Sequence, residues 1–206
     1  MNTDKLSSKL TLIFILFLLS FLLMSPKGVE SANIPGDALK DYNSILKESS
    51  NALKAGNYLK SKRKLDEAAL LLWNNSPLTA ENVTFVKKQA KFYGDIIPTE
   101  NKEYQPGNKL FLYLEPKNYL IKSKQTGKYQ MDIVLDTKLI FEDGTIVFHN
   151  PEFIRFRKES TQPNREVKFD MYFNLTSGLK TGEYTIKNTL IDKLASQLLP
   201  PNHKQD

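Results

Sequence analysis

The sequence predicts an α+β protein, with a helical hairpin in front and an antiparallel β-sandwich behind it. Two changes of rhythm carry that expectation. From Asp37 to Trp73 apolar residues recur at the helical period, and from Lys109 onward they alternate with polar ones. Between these stretches, Pro98 and Pro106-Gly107 flank the polar run Thr99–Gln105 and mark a boundary. The expected organisation is a helical region over 32–98, a β-sandwich over 99–199 and a disordered tail over 200–206.

Ahead of the hairpin lies an uncharged apolar run, Leu10 to Met24, preceded by Lys5 and Lys9. Pro26 and Gly28 break it, and the small residues Ser31 and Ala32 follow, which is the grammar of a secretory signal peptide. Fifteen helical residues span about 22 Å, short of a hydrocarbon core of about 30 Å, so an uncleaved N-terminal membrane anchor is the second choice. The expected signal covers residues 1–31, and the expected location is periplasmic or secreted. The chain has no cysteine, so thiol catalysis, thiolate metal sites and a lipid-modified cysteine are excluded. Twenty-nine Lys and Arg stand against 23 Asp and Glu, a mild basic excess that does not predict nucleic-acid binding.

The hairpin is expected as follows. Asp37, after Pro35-Gly36, caps the first helix, whose apolar positions are Ala38, Tyr42, Ile45, Leu46, Ala52 and Leu53. Gly56-Asn57 breaks the pattern. The second helix runs from Tyr58 to Trp73 with Leu65, Ala68, Ala69 and Leu72 on one face, and Asn74-Asn75-Ser76-Pro77 ends it. Ala52-Leu53-x-x-Gly56-x-Tyr58-x-x-Ser61 resembles the turn of a tetratricopeptide unit, with Ala68 and Pro77 matching less strictly. One copy is visible where a solenoid needs about three, so the resemblance implies that the hairpin packs on the β part of the same chain.

The strands follow in order. Thr79-x-x-Asn82 opens a short helical or extended piece with Val83, Phe85 and Val86. Leu110, Leu112 and Leu114 form one face of a strand whose second face, Phe111 and Tyr113, is also apolar. A strand apolar on both faces is covered on both; the expected cover is the hairpin, and the alternative is another molecule. Met131, Ile133, Leu135, Thr137, Leu139 and Phe141 alternate up to Asp143-Gly144, a two-residue turn that predicts a hairpin with Ile146-Val147-Phe148. Val167, Phe169, Met171, Phe173 and Leu175 form a further strand, and Glu183–Asp192 the last. The entry Gly182-x-Tyr184 is similar to the tyrosine corner of Greek-key sandwiches. Six or seven short strands in about 95 residues predict an immunoglobulin-like sandwich.

Chemistry is scarce. His149 and His203 are the only histidines, with no Gly-x-Ser-x-Gly elbow and no His-Glu-x-x-His. No calcium or phosphate loop is present, so no cofactor and no metal is expected. Asp132 and Asp136 share a strand face about 13 Å apart, beyond the roughly 5–9.5 Å of glycosidase pairs, and are expected to be solvated. The basic runs Lys60-Ser-Lys62-Arg63-Lys64 and Arg155-Phe-Arg157-Lys158 are expected on solvated faces, with anion or partner contact as the sharper alternative.

Several phrases taken together are similar to a group of exported bacterial proteins of unassigned function. They are Trp73-x-x-Ser76-Pro-Leu-Thr79, Asn82-Val-x-Phe85-Val-Lys87, Tyr93-Gly94, Pro106-Gly-x-x-Leu110-x-Leu-Tyr113-x-Glu115-Pro116 and Gly182-x-Tyr184…Asp192-Lys193. That resemblance implies a helical front and a sandwich rear and supplies no catalytic residue. The resulting expectation is a non-catalytic envelope protein that binds another protein or a glycan. Its candidate partner surface is Phe111, Tyr113, Tyr119, His149, Arg155 and Arg157. Two alternatives stand beside it. One is a carbohydrate-binding sandwich stacking sugars on Tyr113, Tyr119, Tyr129 or Tyr172, and the other is a carboxylate-dependent hydrolase. Membrane contact is expected only through the signal segment if it is retained.

Overall fold

A computed structural model describes residues 17–18 and 36–197. The expected signal segment, apart from Phe17–Leu18, and the expected tail lie outside the described residues. After a two-residue strand at Phe17–Leu18 come two helices, α1 (Gly36–Lys54) and α2 (Tyr58–Asn75). Asp37 lies inside the first turn of α1, 3.8 Å from Lys40, rather than capping it from outside. Gly56 takes φ +71° at the turn, a conformation that costs glycine nothing. Asn57 then caps α2, its side chain accepting from Lys60 N at 3.0 Å.

The helices meet through small residues. Ser49, Ala52, Ser61 and Ala68 are buried, and the Ser49 hydroxyl donates to the Ser61 carbonyl at 3.1 Å. Leu65 was expected on the apolar face but is exposed, as are Leu53 and Leu59. With small side chains at the contact the helices approach closely, and the leucines on the flanks are left in solvent.

All the strands after the hairpin belong to two antiparallel sheets. The smaller has the order β2 (Thr79–Val86), β3 (Lys109–Lys117), β7 (Phe169–Asn174). In the larger, β5 (Tyr129–Phe141) lies between β6 (Ile146–Ser160) and β8 (Tyr184–Asp192), and β4 (Lys122–Ser123) pairs with its start. β1 (Phe17–Leu18) pairs in parallel with Tyr184 and Thr185 at the edge of β8. The expected Asp143-Gly144 turn joins β5 to β6, with Gly144 N bonded to Phe141 O at 2.8 Å. A four-residue helix, α3 (Lys193–Ser196), closes the described chain. Asp192 caps it, accepting from Leu194 N and Ala195 N at 2.9 Å each.

One core joins the two sheets. Leu110, Leu112 and Leu114 of β3 and Phe169 and Met171 of β7 meet Met131, Ile133 and Leu135 of β5 and Ile186 of β8. The alternation read from the sequence therefore points the right side chains inward.

Three expectations need correction. The helical region ends at Asn75, and Thr79–Val86 is strand, paired with β3 from Thr79↔Lys117 to Val86↔Phe111. A bulge between Glu81 and Thr84, with Asn82 at φ +51°, hides the alternation in β2. Second, the hairpin does not cover the Phe111–Tyr113 face. The end of β2 and the segment after it do: Val86, Ala90 and Ile96 pack with Phe111 and Tyr113 in a separate small cluster. Third, among the described residues the hairpin holds the β part through the last turns of α2, Leu70 to Asn74. Trp73 Nε1 donates to Tyr119 O at 2.8 Å, and Asn74 bonds both the N–H and the carbonyl of Ile121 at 3.0 and 3.1 Å.

Candidate functional site

Strand β6 gathers three of the six residues singled out from the sequence. Cross-strand pairing sets Arg157 opposite Asp132, Arg155 opposite Val134 and His149 opposite Lys138. Arg155 grips Asp132 with two parallel bonds, Nε to Oδ1 at 3.0 Å and Nη2 to Oδ2 at 2.9 Å, a fork geometry that a lysine could not reproduce. Glu152 bridges Arg155 at 3.3 Å and Lys193 of α3 at 3.4 Å. Arg157 lies 3.7 Å from Asp132 and is largely exposed. The His149 ring bonds Asp136 Oδ1 at 3.0 Å.

Asp132 and Asp136 were expected to be solvated. Asp132 is buried under Arg155, because the long guanidinium side chains of β6 fold back across β5. Asp192, beside it in the register, is also buried. Loss of solvent raises its carboxyl pKa above the usual aspartate range, opposed by bonds from Ala195, Leu120 and Leu194 backbone N–H groups.

The other three singled-out residues do not join this group. Tyr113 and Tyr119 are both 0 % exposed. The Tyr119 hydroxyl donates to Asn164 O at 2.7 Å, and its ring meets the Trp73 edge at 5.2 Å. Phe111 is half-buried and tilted against Tyr172 at 6.2 Å. As stacking platforms for sugars, Tyr113 and Tyr119 are thus removed, and Lys109 lies over the Tyr172 ring at 5.3 Å.

The sequence did not single out the network around Glu115. Its carboxylate, nearly inaccessible, accepts from Tyr113 Oη at 2.8 Å and Lys117 Nζ at 2.9 Å. Lys117 also bonds the Tyr93 hydroxyl, and Gly94 N donates to Tyr113 Oη at 2.9 Å. Burial pushes the Tyr113 hydroxyl up to about 12. Burial alone would raise Glu115, but bonds from Lys117, Tyr113, Tyr93 and Asn82 outweigh it and hold its carboxyl below the usual range. The network fastens the 87–98 segment onto β3. Its signal in the sequence was the pair Glu115 and Lys117, opposite charges two apart on the same strand face as Phe111 and Tyr113.

Among the described residues, strand β6 is bonded on one side only, to β5, and nothing pairs with its other edge. Ile146, Val147 and Phe148 are exposed along it. Phe148 meets Phe153 edge-on at 5.8 Å, and Phe153 stacks on Phe173 of β7 at 5.3 Å. These rings pack β6 against β7 of the smaller sheet. A separate cavity of about 360 Å³ lies between the β5–β6 turn and the loop before β8, lined by Phe141, Asp143, Thr145, Leu179 and Lys180. Among the described residues no helix is long and apolar enough to cross a membrane. Comparison with protein families, with curated proteins and with solved structures finds no match to this chain.

Proposed function

We propose that the chain is a non-catalytic exported protein of the cell envelope, periplasmic or secreted, that binds another protein or a surface polymer. The observation that carries this reading is the open edge of β6. Among the described residues nothing pairs with the outer side of this 15-residue strand, which also holds Ile146, Val147, His149 and Arg157 in solvent. An edge of this kind takes an added strand, with backbone bonds supplying affinity and alternate side chains supplying selectivity. Pro151 and the irregular pairing between Leu135 and Thr137 interrupt the edge and limit indiscriminate sheet growth. A protein is favoured over a glycan because Tyr113 and Tyr119 are withdrawn into the interior. The two sheets are further proposed to form an immunoglobulin-like sandwich, supported by their common core and by Tyr184 donating to Lys180 O at 2.8 Å, the bond of a tyrosine corner.

A photo-activated cross-linking residue tests the reading. At Val147 or Arg157, in the protein made in its own cells, it should capture one discrete partner. At Lys88, in the segment over the other sheet, it should not. Equal capture at all three positions, or none on β6, would overturn the assignment.

A further inference from the structure

The turn end of the helical hairpin is both apolar and basic. Leu53, in the last turn of α1, is 53 % exposed, and Tyr58 and Leu59, opening α2, are 72 % and 61 % exposed. The turn that presents them is well bonded: Asn57 N reaches Ala52 O at 2.8 Å and Gly56 N reaches Leu53 O at 3.0 Å. Around them stand Lys54, Lys60, Lys62 and Arg63, all exposed, and no Asp or Glu occurs from 51 to 63. Lys62 reaches Asp66 at 2.6 Å; among the described residues no ion pair holds Lys54, Lys60 or Arg63. The hairpin is tied to the β part at its opposite end, through Trp73 and Asn74. Fifteen residue steps along α2, from Tyr58 to Trp73, put the turn about 22 Å away.

We propose that this tip docks on an anionic lipid surface. Large apolar side chains at a projecting turn, ringed by cations with no anion among them, match the boundary between acyl chains and phosphate headgroups. Leu53, Tyr58 and Leu59 enter that boundary. The lysine and arginine stems lie along it and keep their charges at the phosphates. A second copy meeting this one tip to tip would set the unpaired Lys54, Lys60 and Arg63 against their copies, so self-association does not explain the pattern. The docking is independent of the β6 edge, which remains free to take a partner.

The test uses the full chain with vesicles of phosphatidylglycerol mixed into phosphatidylcholine, against phosphatidylcholine alone. The apolar run 10–24 and the preceding Lys5 and Lys9 contribute equally to parent and variant, so the comparison isolates the tip. Lys60→Gln with Arg63→Gln should lower affinity for the anionic vesicles about thirtyfold, at roughly fivefold per cation, while affinity for the neutral ones stays unchanged. The chain has no cysteine. Tyr58→Cys therefore accepts a single spin label, which should be shielded from a water-soluble relaxing agent only on anionic vesicles. Unchanged affinity in the double variant, or a label equally accessible in both lipids, overturns the proposal. So does self-association of the parent that Leu59→Ser abolishes without vesicles, which would make a second copy the occupant.

Discussion

The helical hairpin and the paired sheets solve the same problem with different side chains. The sheets bury Leu110, Leu112, Leu114, Met131, Ile133 and Phe169 almost completely. The hairpin buries Ser49, Ala52, Ser61 and Ala68 and leaves Leu53, Leu59 and Leu65 more than half exposed. A pleated strand with one face on a core hides every second side chain. An isolated pair of helices has only one line of contact, and small residues fill it. The difference teaches that stability resides in the sheets, while the hairpin is a projecting arm whose outer apolar residues are free for other uses.

The strongest test of that contrast is a core truncation. Phe169→Ala should cost about 3–5 kcal/mol in chemical denaturation. A cost under about 1 kcal/mol would mean that the two sheets do not share one tight core. Next is Gly182→Ala at the entry to β8. Gly182 has φ +154°, and an added Cβ would stand 2.5 Å from Phe141 Cε2 and 3.0 Å from Glu142 Oε1. The loss should be about 1–3 kcal/mol, read as a lowered Tm.

Glu115 probes the join between the sheet and the segment over it. The folded carboxyl ionises at lower pH than the unfolded one. Its contribution is therefore fully present above about pH 4.3 and is lost as pH falls through the folded value. Lys117 has a raised pKa, with burial lowering it but bonds to Tyr93 and Glu115 prevailing. Its contribution is present below about pH 10.4 and is lost as pH rises through the folded value. Glu115→Gln should destabilise by about 1–3 kcal/mol at neutral pH and flatten the acid limb of the stability profile. An unaltered acid limb would show that the network is not formed in solution.

Tyr184→Phe removes the bond to Lys180 O and should cost about 1 kcal/mol. Unchanged melting would strip the corner of its structural role. The smallest effect belongs to the arm: Leu59→Ala should shift stability by less than about 0.5 kcal/mol. A loss comparable with Phe169→Ala would erase the contrast between the two regions.

Both helices were legible because Gly56-Asn57 and Ser76-Pro77 punctuate a helical rhythm. The Asp143-Gly144 turn, β5 and β8 were legible because alternation and turn chemistry agree there. β2 was obscured by its bulge at Asn82, which breaks the two-residue period. Of the candidate surface, His149, Arg155 and Arg157 lie on one strand, β6, since alternate residues of a strand share a face. Tyr113 and Tyr119 gave no local sign of their depth. A tyrosine on a strand reads the same whether its hydroxyl meets water, Glu115 or the Asn164 carbonyl.

The sequence by itself determined the two helices, the Asp143-Gly144 hairpin, which residues of β5 and β7 turn inward and how the last strand is entered. Those properties depend on neighbours two to four positions apart, where period, capping and turn residues act directly. Only the tertiary structure decided what lies over the second face of β3, which strand is left with an open edge and how far the hairpin reaches from the sheets. These depend on contacts between residues remote in sequence, such as Trp73 with Tyr119 and Gly94 with Tyr113. Their partners are chosen by shape and by the need to satisfy buried polar groups, and no local pattern records that choice.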